Sequence, residues 1–110
     1  MKYSDSQRIE KMRETTRKLL DYIEQSGITK DDILTSETIQ WTITTPLYNI
    51  GEQAYNLSPE YKEAHPNIPW AKISGLRHRL VHNYYDTSWE LIAAIVYQVL
   101  PEFYQDIRGL

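Results

Sequence analysis

The chain has 110 residues, a net charge of −3 and no cysteine, and these properties exclude several classes of protein. The length suits one domain, residues 1–110, built around one hydrophobic core. Without cysteine there are no disulfides, thiolate nucleophiles or cysteine-ligated zinc sites. We expect neither a membrane span nor a signal peptide, because the chain has no apolar run of about 18 residues and its N-terminus has no apolar stretch. These features predict a single-domain cytoplasmic protein.

Helical periodicity begins close to the N-terminus. Apolar side chains recur at helical spacing over residues 9–23, with an N-cap expected among the polar residues 4–6 and a stop at Gly27. Residues 29–32 have the pattern of a capping box, which predicts a second, short helical turn.

The third segment has the clearest pattern. Over residues 39–57, apolar side chains recur at steps of three and four, which predicts one buried helix face. Trp41, Tyr48 and Tyr55 repeat every seven residues on another face. Two apolar stripes predict burial on two sides, one against the core of the monomer and one against a partner subunit. Pro46 lies inside this helix and is expected to kink it.

The second half of the chain continues as helices separated by polar joints. Ser58 and Pro59 predict an N-cap and the first residue of a helix, and residues 65–69 predict a loop. The fourth helix is expected to begin at Trp70 and to end near Asn83.

The last predicted helix closes the chain. Residues 87–90 have the pattern of a capping box, with Thr87 as the expected N-cap. Pro101 is expected to bend the helix, and Gly109 is expected to end it. No segment shows the alternating pattern of a β-strand. The sequence therefore predicts an all-α, up-and-down bundle of four to five helices.

The fourth helix carries the candidate catalytic residues. Arg77, His82 and Tyr84 have the spacing R-x4-H-x-Y. Arginine can hold a phosphate by bidentate hydrogen bonds, and histidine can move protons near neutral pH. We expect a ribose 2′-OH to attack the adjacent phosphorus, with His82 transferring protons and Arg77 stabilising the charge on the non-bridging oxygens. The products would be a 2′,3′-cyclic phosphate and a 5′-OH, without a metal ion.

A structural alternative remains open for the same residues. Arg77 could pair with an acid or cap carbonyls, and His82 could fill a helix end. One copy of Arg77 and His82 is a small active site, whereas two copies in a homodimer would form a cleft with two guanidinium groups and two imidazoles.

The charge distribution favours a phosphate-containing partner. Residues 64–85 contain no acid and carry +3, which leaves −6 for the rest of the chain. Such asymmetry can create a local positive field on an acidic protein. Lys72, His78 and Arg79 are therefore predicted to contact RNA or to support the catalytic residues. The alternative is that a short acid-free window arises by chance.

Metal binding is not expected. His78 and His82 are four residues apart and could face one ion, but no glutamate completes an H-E-x-x-H pattern and no third ligand is evident. Tyr84 and Tyr85 could stack on a base or pack beside the helix end. The three tryptophans are expected to be core or interface anchors.

Taken in order, these segments resemble HepT-type toxins of the HEPN superfamily, the RNase partners of a minimal nucleotidyltransferase (MNT) antitoxin. Residues 50–58 resemble the family's I-G-E-A stretch, and residues 68–70 and 75–77 resemble the I-P-W and G-M/L-R segments that precede R-x4-H-x-Y. His78 fits the polar position after the motif arginine. Residues 100–101 resemble a Leu-Pro near the last helix.

The resemblance implies a function that the residues alone leave open. It implies a homodimer with a composite active site and a metal-independent endoribonuclease toxin of a type VII (HEPN/MNT) toxin–antitoxin system, without a cofactor. It also implies that the MNT partner transfers AMP to Tyr84. Residues 40–46 replace the usual arginine-rich run, so partner docking there is not carried over. The competing interpretation is a non-catalytic helical partner or substrate-binding subunit of a nucleotidyltransferase.

Overall fold

The computed structural model describes residues 3–81 and 86–110, and this part of the chain contains helices and no β-strand. In chain order the elements are α1 (Asp5–Gln25), α2 (Lys30–Thr35), α3 (Glu37–Tyr55), α4 (Pro59–Ala64), α5 (Trp70–Val81), α6 (Trp89–Ala94), a π-helical segment (Ile95–Val99) and α7 (Leu100–Arg108). Four long segments form the bundle, namely α1, α3, α5 and the terminal run from α6 to α7. The predicted all-α bundle is confirmed.

Local hydrogen bonds explain where the first helices begin and end. Ser4 Oγ accepts from Gln7 N at 3.1 Å, and Gln7 Oε1 accepts from Ser4 N at 2.8 Å, which is a capping box. The chain leaves α1 at Gly27, whose φ of 65° suits a residue without a Cβ. Thr29 and Asp32 form the predicted second capping box, which opens α2.

The third helix buries the predicted stripe. α3 stays α-helical through Pro46, and the carbonyl that Pro46 cannot bond belongs to an exposed residue, Thr42. On the second stripe, Trp41 and Tyr55 are each 56% exposed. The buried face consists of Ile43, Leu47, Ile50 and Ala54, followed by Leu57 just beyond the helix.

A single hydrophobic cluster joins the helices. α3 packs against both α5 and α1, and α7 packs against α1. Trp70 is buried and meets Phe103 edge to face, with ring centroids 6.0 Å apart, and Trp89 packs against the cluster. Two of the three tryptophans are therefore core anchors, whereas Trp41 is exposed.

The short helix α4 begins as predicted. Ser58 is its N-cap and Pro59 its first residue. The carboxylate of Asp5 accepts hydrogen bonds from Ser58 N at 2.9 Å and from Ser58 Oγ at 2.7 Å. The start of α1 and the start of α4 are thereby tied together.

The start of the terminal run differs from the prediction by one residue. The N-cap of α6 is Ser88 and not Thr87. The Oγ of Ser88 accepts a hydrogen bond from Leu91 N at 3.3 Å. The Thr87 hydroxyl instead donates to the carbonyl of Arg79 at 3.1 Å. The predicted capping box at residues 87–90 is wrong because the side chain of Thr87 is hydrogen-bonded to α5 instead of to the start of α6.

The terminal run also contains the π-helical segment, which the sequence pattern does not predict. The segment ends just before Leu100, and Pro101 follows in the first turn of α7. Proline has no N–H to donate, and its ring clashes with the carbonyl four residues earlier, so a regular α-helical turn is disfavoured here. Within residues 3–81 and 86–110, no helix combines the length and hydrophobicity that a membrane span requires.

Candidate functional site

The crossing of α3 and α5 brings Glu52 to Arg77. A Cβ added to Gly51 would lie 2.7 Å from Arg77 N and 3.0 Å from the Ile73 carbonyl oxygen, so only glycine permits this approach. Directly after Gly51, Glu52 accepts a hydrogen bond of 2.5 Å from Arg77 Nε. The side chains of Arg77 and Glu52 are 36% and 31% exposed, so the ion pair remains accessible to solvent.

An aromatic side chain at the end of α3 and the polar side chain of its C-cap contact this ion pair. The Arg77 guanidinium carbon lies 4.5 Å from the ring centroid of Tyr55, in cation–π geometry. Asn56 Nδ2 donates to Glu52 Oε1 at 3.1 Å. The hydrogen bond to Glu52 raises the pKa of Arg77. Burial raises the pKa of Glu52, but hydrogen bonds from Arg77, Asn56 and Tyr48 outweigh it, and the pKa lies below its ordinary value.

The other predicted cations of α5 lie on the opposite side of the helix. Residues two apart on an α-helix point about 200° apart, so Arg79 faces away from the contact between Arg77 and Glu52. Arg79 and Lys72 line a groove of about 320 Å³ between α5 and the terminal run. His78 and Arg79 line a neighbouring cavity of about 230 Å³ with Asp86 and Leu91. The structure therefore separates Arg77 from Lys72 and Arg79.

Two of the predicted site residues are not among those that the structure describes. His82 and Tyr84, with Asn83 and Tyr85 between and beside them, lie outside residues 3–81 and 86–110. Their roles therefore remain predictions. The described part of the site is the Arg77 end of the R-x4-H-x-Y motif, in the last turns of α5.

The described residues contain no candidate metal centre. No group of three His, Asp or Glu side chains within residues 3–81 and 86–110 could hold a metal ion. The His78 and His82 pair considered from the sequence lies partly outside these residues.

A comparison with protein families matches nearly the whole chain. The family model described as ribonuclease HepT-like matches residues 6–110. The chain belongs to the HepT-like ribonuclease family. This confirms the resemblance that the motif and its flanking segments indicate.

Curated relatives of this HepT-like chain carry related names. "Putative RNase MJ0127" of Methanocaldococcus jannaschii is 28% identical over 97 residues, which cover 88% of this chain and 78% of that protein. "Putative RNase TTE0752" of Caldanaerobacter subterraneus is 27% identical over 84 residues, covering 76% and 75%. "Probable ribonuclease HepT" of Thermococcus cleftensis is 28% identical over 71 residues, or 64% of each chain. No solved structure shows a significant match.

The sequence pattern alone does not reveal the partner of Arg77 in this HepT-like protein. Glu52 is 25 residues away from Arg77, on another helix. A glycine inside a helix permits a close approach to a facing element, but the sequence does not distinguish Gly51, which makes one, from Gly75, which does not. Tyr55 belongs to the predicted second stripe, but its contact with Arg77 is not predicted.

Proposed function

We propose that this HepT-like protein is a metal-independent endoribonuclease. The observation that carries the proposal is the accessible Arg77 at the start of an R-x4-H-x-Y motif, in a chain that matches the family over residues 6–110. The names of three relatives, which describe RNases, support the same activity. We further propose that residues 1–110 act as one domain in the cytoplasm.

In the proposed reaction, the ribose 2′-oxygen forms a bond to the adjacent phosphorus and the bond from phosphorus to the 5′-oxygen breaks. His82 accepts the proton of the 2′-OH, and a protonated His82, from the same or the second copy, donates a proton to the leaving 5′-oxygen. Arg77 stabilises the charge on the non-bridging oxygens. The products are a 2′,3′-cyclic phosphate and a 5′-OH.

Glu52 is a positioning residue that supports this role of Arg77. Arginine has five N–H donors, and the hydrogen bond to Glu52 uses the one on Nε. The donors on the two η nitrogens remain, and together they can bind two phosphate oxygens as a bidentate pair. We infer that Glu52 and the Tyr55 ring orient the guanidinium while leaving its outer edge for the substrate.

The proposed active site is composite and requires a homodimer. Residues 38–51 of α3 contain no Asp, Glu, Lys or Arg, although Trp41 on this helix is 56% exposed. A solvent-facing helix side normally carries charges, so an uncharged aromatic side suits contact with protein. Tyr55 continues this surface to Arg77. A second copy seated here would bring two Arg77 side chains to one cleft.

Light scattering tests the dimer. We expect a dimer at micromolar concentration and dissociation by Trp41→Glu, which places a charge in the uncharged surface. Tyr3→Glu is the matched control, because Tyr3 is also exposed, at 43%, but lies beside Arg8 and Lys11. A wild-type protein that stays monomeric would contradict the proposed composite active site.

Incubation with RNA in EDTA tests the nuclease. We expect purified wild-type protein to cleave total RNA and to leave 2′,3′-cyclic phosphate ends, detected by mass spectrometry of the fragments. His82→Ala should lower the rate by about 10²–10⁴. Arg17→Ala, a change of an exposed arginine on α1, is the control and should cleave normally. Loss of activity in EDTA, or full activity of His82→Ala, contradicts the mechanism.

We also propose that the protein is the toxin of a type VII toxin–antitoxin pair, silenced by an MNT antitoxin that transfers AMP to Tyr84. The phenol oxygen would attack the α-phosphorus of ATP, and pyrophosphate would leave. The added phosphodiester and adenosine would compete with RNA for the cleft. After incubation with ATP and the partner, mass spectrometry should locate AMP on Tyr84 and not on Tyr85. Silencing that persists in Tyr84→Phe contradicts this regulation.

One observation favours a second function. Arg77 already has a carboxylate partner, as the structural alternative requires. In that case the protein would be a non-catalytic helical partner or substrate-binding subunit of a nucleotidyltransferase. The RNA cleavage experiment separates the two functions, because a non-catalytic subunit leaves RNA intact while still binding the enzyme.

A further inference from the structure

The groove between α5 and the terminal run, here called the flank groove, has an apolar floor that combines small residues with Leu91, Ile95 and Val99. Ala71 and Gly75 come from α5, and Ala94 comes from α6. A Cβ added to Gly75 would have no atom within 4 Å, so this part of the groove is open space. With a volume of about 320 Å³, the flank groove reaches the size of sites that hold small molecules.

Two cationic side chains also line the flank groove. Lys72 and Arg79 are exposed and seven residues apart, which corresponds to about 10.5 Å along α5. Among the residues that the structure describes, neither side chain forms an ion pair. Gln98 adds an amide from the π-helical segment. The groove thus combines an open, largely apolar floor with two positive charges and one group that can both donate and accept hydrogen bonds.

This combination favours a nucleotide over other occupants. An apolar floor can contact the face of a base, two cations can bind the phosphates on either side of it, and an amide can hydrogen-bond a base edge. An apolar peptide would leave Lys72 and Arg79 without partners. An acidic peptide would satisfy both cations but would make no use of the apolar floor.

The flank groove is connected to the motif end of α5. Arg79 and Leu91 line both the groove and the cavity that contains His78. His78 and Arg79 lie in the last turn of α5, and the remaining motif residues, His82 and Tyr84, follow Val81 in the sequence. The flank groove and this cavity therefore adjoin each other at Arg79 and Leu91, beside the last turn of α5.

We propose that the flank groove is an RNA subsite that holds one nucleotide of a single-stranded substrate outside the cleavage site, with its base over Gly75 and its phosphates on Lys72 and Arg79. The inference rests on the proposed nuclease function and adds to it the substrate class. A duplex cannot place an unstacked base on this floor, so the subsite selects single strands.

Binding of a 2′-O-methyl RNA oligonucleotide tests the subsite, because this probe lacks the attacking hydroxyl. At Gly75 an added Cβ meets open space, so Gly75→Leu should obstruct the groove and weaken binding by about tenfold. Ala64→Leu, at the exposed end of α4, is the matched control for added bulk and should bind like wild type.

Salt dependence separates the roles of the floor and the cations. Lys72→Gln and Arg79→Gln should each weaken binding and reduce the slope of log affinity against log salt by about 0.7, as expected for one lost phosphate contact with a single strand. Gly75→Leu should weaken binding without changing this slope. Arg17→Gln, which removes an exposed cation on α1, should change neither quantity.

Three outcomes would overturn the subsite: wild-type affinity in Gly75→Leu, displacement of the oligonucleotide by polyglutamate as readily as by RNA, or equal affinity for duplex RNA. Cleavage kinetics keep this result separate from the nuclease proposal. If wild type cleaves RNA and Gly75→Leu has an unchanged KM, the subsite fails and the nuclease stands. If wild type binds the probe through the groove but cleaves nothing, the nuclease fails and the subsite stands.

Discussion

The two sides of α5 hold their cations in different ways. On the side facing α3, Arg77 is hydrogen-bonded to Glu52 and lies over the Tyr55 ring. On the side facing the terminal run, Lys72 and Arg79 are exposed beside an open groove. One helix therefore presents an oriented guanidinium on one side and solvated charges on the other.

This difference suggests a division of labour. A catalytic donor must be held in place before the substrate arrives, because reorganisation during the reaction is costly. Charges that only attract and guide a strand can remain mobile, since their effect depends on the local field. On the proposals above, Arg77 acts in the chemical step and the groove cations act in binding.

The same substitution on the two sides should produce the largest contrast. Arg77→Gln should lower kcat for RNA cleavage by about 10²–10³, as for the loss of one donor to the transition state. Arg79→Gln should raise KM by about tenfold and leave kcat nearly unchanged, as expected when only binding is lost. Steady-state cleavage of one defined oligonucleotide measures both. Equal losses of kcat in the two variants would contradict the proposal that Arg77 acts in the chemical step and Arg79 in binding.

The two glycines that face these sides should respond oppositely to a methyl group. Gly51→Ala forces the added Cβ against the backbone of α5, so we expect the free energy of unfolding to fall by about 1–3 kcal/mol. Because the displaced segment carries Arg77, cleavage should weaken as well. Urea denaturation followed by circular dichroism measures the change.

Gly75→Ala is the matched control for this effect. Nothing lies within 4 Å of the added Cβ, so the gain in helix propensity should raise the free energy of unfolding by about 0.5–1 kcal/mol. If Gly51→Ala is as stable as Gly75→Ala, the close crossing of α3 and α5 is not as described.

The smallest expected effect is the pH dependence of the Arg77 and Glu52 pair. The folded pKa of Glu52 lies below its ordinary value of 4.5, so the pair stabilises the fold above that value and loses its effect as the pH falls through the folded pKa. Because both side chains are about one-third exposed, solvent screens the pair and we expect only a small effect on stability. Glu52→Gln should therefore be slightly less stable than wild type at pH 7 and equally stable in strong acid.

Thermal unfolding across this pH range checks the Glu52 prediction. Asp5 also has a lowered pKa, chiefly through the hydrogen bond from Ser58 N, but it is present in both proteins and cancels in the difference. Glu14→Gln removes a carboxylate from an exposed pair with Lys18 and serves as the control. A difference between Glu52→Gln and wild type that persists unchanged into acid would contradict the role of the carboxylate.

The sequence by itself determined the helices and most of their ends. Gly27, Thr29 and Ser58 act through hydrogen bonds or backbone angles within about four residues, and such local chemistry can be read directly from the chain, which also narrows the N-cap of α1 to residues 4–6. The one cap that was misplaced, Thr87 instead of Ser88, failed because a distant carbonyl competed for the hydroxyl. The motif likewise gave the candidate chemistry but not its surroundings.

Only the tertiary structure decided which side of α5 each cation faces and what it meets there. Periodicity places Arg77 and Arg79 about 200° apart but does not say which helix packs on either side. The close crossing at Gly51 brings Glu52 to Arg77, and the packing of the terminal run opens the groove beside Lys72 and Arg79. These contacts join residues far apart in the chain, and their geometry depends on how whole helices pack, which no local pattern encodes.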